Sequence, residues 1–449
     1  MTVSRSAPAL IGTLTVLVGA TSVAAQTETP RDALTVDSLV RVALLANPDL
    51  KAMEARASAF ESRIAPAGAW DDPRFSVGVV NLPLPSLDFD GTPMTQGAKF
   101  TLQERVAFPG KLGLREAIAK AEHSTVAAEA TDKRFEIITA VRAAYYDLYT
   151  VERSLEISRR HKALLDDFVR VANVRYRVGS GLQQDVLKAN VERDRVTEKL
   201  LRQTAQREAA VARLNSLLDR PPGTPAEAPN LPERLVRLAF ASDDTATVKF
   251  AAAVNQEPAI PSLASLIDSA IAQRPLLEAY RSAIDRQRLA TDLARKSLWP
   301  DVTVSLGYAY RGAGLADFFS ASIGLSLPVF AGRKQNRLID AARAGELQSE
   351  AAYRNAVNLI ASRLADLRAR LIEERQQVTL YRDGILPQAT AALQSTTSAY
   401  QVGSVDFLTL INSETTLYRY ELDYHRLLAS FMRTAADIER TVGREIFSQ

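Results

Sequence analysis

Three histidines are the side chains of this 449-residue chain best suited to bind a metal or carry a proton, and their spacing supports neither role. His123, His161 and His425 stand isolated at helical positions, with no second histidine three or four residues away; Asp423 near His425 is a chance acidic neighbour. The sequence contains no Cys, which removes disulfides, thiolate metal sites, cysteine nucleophiles and the acylated cysteine of a lipoprotein. No nucleophile elbow, glycine-rich phosphate loop or zinc signature is present. The pairs Asp71-Asp72 and Asp243-Asp244 read as turn and linker residues. The reading is therefore not an enzyme, with no cofactor and no tight metal site. The 55 Lys and Arg are scattered against 52 Asp and Glu, so a formal charge of +3 gives no basic face for nucleic acid.

What does recur is a pair of glycine-centred turns. Tyr176-Arg177-Val178-Gly179-Ser180-Gly181 is answered by Tyr400-Gln401-Val402-Gly403-Ser404, and each is followed by an acid, Asp185 and Asp406. Gly179 and Gly403 suit the positive φ of tight turns. An Asp just beyond such a turn sits near a helix N-terminus, where the dipole favours it. Tyr176 and Tyr400 either pack ahead of the turn or hydrogen-bond across helices.

These turns belong to a duplication of roughly half the chain. Leu39 through Asn47-Pro48-Asp49-Leu50 lies over Leu266 through Arg274-Pro275-Leu276-Leu277 without a gap. Trp70 with Pro73 answers Trp299 with Pro300, and Phe108-Pro109-Gly110-Lys111 answers Phe330-Ala331-Gly332-Arg333. The implied organisation is a signal peptide at 1–25, a first repeat at 26–220, a Pro- and Ala-rich linker at 221–261 and a second repeat at 262–449. The signal is read from Arg5, the apolar run Ala9 to Ala20 and Val23-Ala24-Ala25 before Gln26.

Each repeat combines long helices with a strand pair. Ile137, Val141, Ala144, Leu148, Val151 and Leu155 alternate spacings of four and three, a heptad seam in a stretch from Lys111 to about Tyr176 without a proline. Ile360, Leu364, Leu367, Leu371 and Val378 continue the pattern, as do Leu417, Tyr424, Leu428, Phe431, Ala435 and Ile438. One such helix spans on the order of 100 Å.

The hairpins are expected at about 74–108 and 301–328. Val302, Val304, Leu306, Tyr308 and Tyr310 alternate with Thr303, Ser305, Gly307 and Ala309. After Gly312-Ala313-Gly314, Ala321, Ile323, Leu325 and Leu327 alternate with Ser320, Ser322, Gly324 and Ser326. Phe75, Val77, Val79, Phe100, Leu102, Val106 and Phe108 do the same, opposed by Lys99, Thr101, Gln103 and Arg105. At about 9 to 11 residues each, such strands are long enough to cross a bilayer when tilted. The small polar opposite face and the aromatics near strand ends (Trp70, Phe75, Trp299, Tyr308, Tyr310, Phe318, Phe319) favour lipid over a soluble core. Open edges are not tolerated in lipid and two hairpins close no barrel, so several chains must share one. The heptads alone would also permit a periplasmic coiled-coil adaptor or structural envelope protein; the paired hairpins argue against it.

The ordered motifs Asn47-Pro48-Asp49-Leu50, Phe108-Pro109-Gly110-Lys111, Phe330-Ala331-Gly332-Arg333 and the turns at Gly179 and Gly403 resemble the outer-membrane efflux protein family, the TolC-like channels, over about Leu34 to Arg444. The resemblance implies a mainly α protein with membrane β: a duplicated long-helix α-barrel and two hairpins per protomer in a shared, homotrimeric, twelve-stranded outer-membrane barrel. It implies a passive conduit of a tripartite efflux or type I secretion system, reaching through the periplasm to an adaptor (membrane fusion protein) and an inner-membrane pump, of RND type. Phe-Pro-Gly-Lys is similar to the CzcC-like heavy-metal branch. By the same likeness Gly179, Ser180, Gly181, Gly403 and Ser404 form the periplasmic tip and adaptor contact, and Pro109, Gly110, Lys111, Gly332 and Arg333 mark the change from barrel to helix, binding nothing. The aspartate rings expected at the tip fall on Thr409 and Asn412 here, leaving Asp185 and Asp406 as candidate pore-lining charges. Three copies of either would bias cation passage.

Overall fold

The computed structural model describes residues 35–80, 97–240, 260–311 and 316–447. The signal at 1–25, the Gly312-Ala313-Gly314 turn, the Asp243-Asp244 pair and much of the 221–261 linker lie outside the described residues.

Both repeats open on a helix pair whose first member is capped by a side chain. Thr35 accepts the Ser38 N–H at the head of α1 (Val36–Ala46), and Asn47 accepts those of Asp49 and Leu50 at the head of α2 (Pro48–Glu61). Pro48 occupies the first turn, where its missing N–H costs nothing. After α3 (Ile64–Gly68) come β1 (Arg74–Val80), β2 (Gly97–Val106), α4 (Lys111–Arg177), α5 (Gln183–Leu217) and α6 (Glu233–Phe240). The second repeat restarts with Ser262 capping α7 (Leu263–Gln273) and Pro275 heading α8 (Pro275–Lys296). Then follow β3 (Val302–Tyr310), β4 (Phe318–Leu325), α9 (Gln335–Leu380), α10 (Leu386–Gln401) and α11 (Phe407–Val442).

Each repeat also closes on itself in one way. The Asn47 side chain donates to the Leu217 carbonyl at 3.0 Å, and Arg274, at the matching place, donates to the Thr441 carbonyl at 3.2 Å. The last helix of each copy is thereby tied to the junction of its first two.

The heptad seams form the core. Ile137, Val141, Ala144, Leu148 and Leu155 of α4 are buried, as are Ile360, Leu364, Leu367, Leu371 and Val378 of α9 and Leu417, Leu428, Phe431, Ala435 and Ile438 of α11. At 67 residues, α4 is about 100 Å long. The second repeat departs from this continuity: residues Tyr381–Ile385 make a π-helical turn between α9 and α10. Pro387 lacks an N–H and its ring would strike the carbonyl four residues back, so the helix widens there instead of continuing.

The strands form one antiparallel sheet in the order β1-β2-β3-β4. Phe75, Leu102, Leu306 and Ala321 line up across it, and Val77, Phe100, Tyr308 and Phe319 form the next row. This apolar face is exposed on the protomer, with Phe319 and Ile323 over 70% accessible. The expected 9 to 11 residues per strand hold for β2 and β3. β1 has seven described residues and β4 eight, the latter ending before Pro328, which cannot donate to a ladder. Among the described residues no helix is long and apolar enough to span a membrane.

Candidate functional site: the barrel junction and the helical tip

Where sheet meets helices, the chain builds a buried ionic cluster around Asp301, just ahead of β3. Its carboxylate accepts from Lys111 Nζ at 2.7 Å, Arg105 Nη2 at 2.6 Å and the Phe108 N–H at 2.9 Å; Lys111 also donates to the Trp299 carbonyl. Phe108 stacks on Trp299 with centroids 5.2 Å apart. Burial works against ionisation of Asp301, but the Lys111, Phe108 and Arg105 bonds prevail and hold its pKa down at about 2. Gly110 permits this geometry: its φ of +85° turns the chain sharply so that Lys111 enters the cluster as the first residue of α4. Lys111, expected only to mark a transition, is a buried anchor, because a lysine at that turn points at the Asp301 carboxylate below the sheet. Its counterpart Arg333 is exposed, as are Pro109 and Gly332.

The two glycine turns share one geometry. Gly179 and Gly403 have φ of +72° and +80°. The Ser180 N–H reaches the Arg175 carbonyl and the Ser404 N–H reaches the Ala399 carbonyl, both at 2.9 Å, so each helix ends in a Schellman-type closure. At Gly181 a Cβ would lie 3.0 Å from that of Arg175, so the residue must be small.

Beyond the turns the copies diverge. Asp406 is the N-cap of α11 and accepts the Thr409 N–H at 2.9 Å as well as its hydroxyl. These bonds, with Lys188 nearby, draw its pKa below the usual carboxylate range. Leu182 stands at the same place ahead of α5 without a capping side chain, and Asp185 falls in the first turn instead. Thr409 and Asn412 continue from Asp406 as an exposed polar stripe.

The tyrosines separate too. Tyr400 is 4% exposed, edge-on to Phe407 at 5.5 Å, in a core with Leu165, Phe168, Ala189 and Leu410; Tyr176 is 46% exposed and outside it. Burial raises the Tyr400 phenol pKa, and the charge of Asp185 adds to it. The link across helices comes not from a tyrosine hydroxyl but from Arg175, whose guanidinium lies 4.7 Å over the Tyr400 ring, donates to the Tyr400 carbonyl and reaches the Ser180 carbonyl at 3.3 Å. Arg175 and Lys188 were not singled out in the sequence, since a lone cation on a helix reads as solvated.

Nor are the histidines isolated. His161 is buried between Glu414 at 2.8 Å and Glu421 at 2.7 Å; burial opposes its charge, yet the two carboxylates raise its pKa. It stabilises the fold below its unfolded pKa, an advantage lost as pH rises through the folded one. His123 Nδ1 lies 3.2 Å from the Ala57 carbonyl. His425 contacts the Tyr149 hydroxyl at 2.9 Å, and burial, then Arg153, lowers its pKa to about 4. The unfolded chain therefore takes up this proton near pH 6.5 and the folded one only near 4, so stability is lost as pH falls through that window. The loss is on the order of 2 to 3 kcal/mol. In detergent, His425→Gln should flatten the decline of melting temperature between pH 6.5 and 4; an unchanged slope would show that His425 does not titrate there.

A family model described as outer membrane efflux protein matches residues 39–220 and 266–444, the two repeats. The cobalt-zinc-cadmium resistance protein CzcC of Cupriavidus metallidurans is 25% identical over 201 residues, 44% of this chain and 48% of that protein; the chain thus spans about half the length of the curated relative it matches. Among solved structures, the outer-membrane channel OprN has a TM-score of 0.75 at 17% identity, covering 92% of this chain and 91% of that one. The Vibrio cholerae outer membrane protein VceC has 0.71 at 18%, covering 91% and 96%. The open-state MtrE channel of Neisseria gonorrhoeae has 0.72 at 15%, covering 91% and 89%.

Proposed function

The chain belongs to the outer-membrane efflux protein family, and from that premise we propose that it is the exit duct of a tripartite efflux system, a passive conduit rather than a catalyst. The observation that carries this reading is the sheet: four strands with two edges unpaired among the described residues and an uncovered apolar face, continuous with a helix about 100 Å long. In lipid such a sheet has to close, and three copies would close it into twelve strands. The helices would extend the duct through the periplasm, with the Gly179 and Gly403 turns as the end that meets an adaptor and, through it, an inner-membrane pump of RND type. Heavy-metal cations are the proposed cargo, on the likeness to CzcC. The experiment is extraction from outer membranes in detergent, followed by a test for heat-modifiable trimers and single-channel conductance. A soluble monomer without conductance overturns the reading.

The acids at the tip are proposed to bias the duct toward cations. Asp406 is engaged by Thr409 and faces Lys188, whereas Asp185 has no ion-pair partner among the described residues, so Asp185 carries the larger share. Asp185→Ala should lower cation-over-anion permeability roughly 2- to 5-fold at low salt, fading as salt rises. Asp406→Ala should do less to selectivity and destabilise α11 through its lost cap. Unchanged reversal potentials in both variants would sink the charged-ring idea.

A further inference from the structure

The protomer contains a template for the contact it lacks. Inside the chain, β2 lies beside β3 with Leu102 opposite Leu306 and Glu104 opposite Val304; below them Phe108 stacks on Trp299 and Lys111 binds Asp301. The duplication supplies a counterpart for every one of these groups. The two hairpins correspond in strand register, since Phe75 faces Leu102 as Val304 faces Ile323. On that correspondence Trp70 and Asp72 stand where Trp299 and Asp301 stand, and the motif that follows, one residue farther beyond β4 than beyond β2, sets Phe330 and Arg333 against Phe108 and Lys111.

All four counterparts are left in solvent. Trp70 is 56% exposed and Phe330 73%, Asp72 and Arg333 are exposed, and neither charge has an ion-pair partner among the described residues. They flank β1 and β4, the two free edges of the sheet. A stacked aromatic pair and a buried charge pair in one setting, separated onto opposite edges in the other, describe a surface complementary to a second copy of the same chain.

We propose that β4 of one protomer pairs with β1 of the next in the register that places Leu325 opposite Phe75 and Ile323 opposite Val77, and that beneath this seam Phe330 packs on Trp70 of the partner subunit while Arg333 binds Asp72 of the partner subunit. This rests on the channel reading above and adds its register and its clasp. The ring then alternates the internal junction and its copy between subunits, with the guanidinium taking the place of the Lys111 ammonium. Arg105, whose counterpart by register is Ser326, has no charged equivalent at the seam, so the copy is held by one cation instead of two.

The chain has no Cys, so introduced thiols report without background. With Phe75→Cys and Leu325→Cys together, mild oxidation of outer membranes should give a covalent trimer on denaturing gels. Single variants should give none. The pair Val79→Cys with Leu325→Cys, four residues out of register and beyond disulfide reach, should give none either. If the native mass is trimeric but only the offset pair, or neither pair, cross-links, the proposed register is overturned while the channel reading stands; a monomer overturns both. For the clasp, Asp72→Arg and Arg333→Asp should each lower the temperature at which the trimer dissociates, and the double variant should recover most of the loss. A double variant no better than the sum of the singles overturns the ion pair.

Discussion

Asp301→Ala is expected to be the most damaging single substitution in the chain, costing about 3 to 5 kcal/mol. Asp301 and Lys111 are 6% and 7% exposed, and removing the carboxylate leaves a buried ammonium with only the Trp299 carbonyl, together with a Phe108 N–H that loses its acceptor. The damage falls where the sheet is joined to its longest helix, so loss of assembled protein should accompany loss of stability. The reading is the yield and melting temperature of the detergent-extracted protein. Because the penalty is mostly that of the stranded charge, adding Lys111→Met to Asp301→Ala should recover part of it, a non-additivity that a double-mutant cycle measures. A single-variant loss under about 1 kcal/mol would show that the cluster does not hold the junction.

That cluster also marks the boundary of what the sequence discloses. The seam residues of α4, α9 and α11 are legible because each heptad is local, and the strand faces because alternation is local. Phe108, Gly110 and Lys111 are legible as a repeated landmark, but the partner that explains them is 190 residues away, and no spacing rule reaches that far. His161 fails for the same reason: its two glutamates come from α11, 253 and 260 residues on. The tip was half legible. Its turns follow from glycine at fixed positions, whereas the different fates of Asp185 and Asp406, or of Tyr176 and Tyr400, depend on which copy packs inward, and the duplication itself hides that difference. Repeats foretell shared geometry; their unequal surroundings carry the specific chemistry.

Arg175 is where those unequal surroundings bear on the proposed opening of the tip. It projects from the end of α4 onto the end of α10, joining the helix pair that turns at Gly179 to the pair that turns at Gly403. If the tip opens by the two pairs moving apart, the charged hydrogen bond to the Tyr400 carbonyl and the cation–π contact are both lost in the open state. A charge-assisted bond contributes about 1.5 to 3 kcal/mol and a half-exposed cation–π contact about 0.5 to 1. Allowing for water that replaces part of both, Arg175→Ala should shift the equilibrium toward opening by about 1.5 to 3 kcal/mol, or roughly 10- to 100-fold in the ratio of open to closed. Single-channel recordings in planar bilayers should show longer dwell in the high-conductance state, and Arg175→Lys should fall between, since a lysine keeps the charge but not the planar stack or the second donor. If conductance and dwell times match the parent in both variants, the two helix pairs move as one body, and opening must take place between subunits instead.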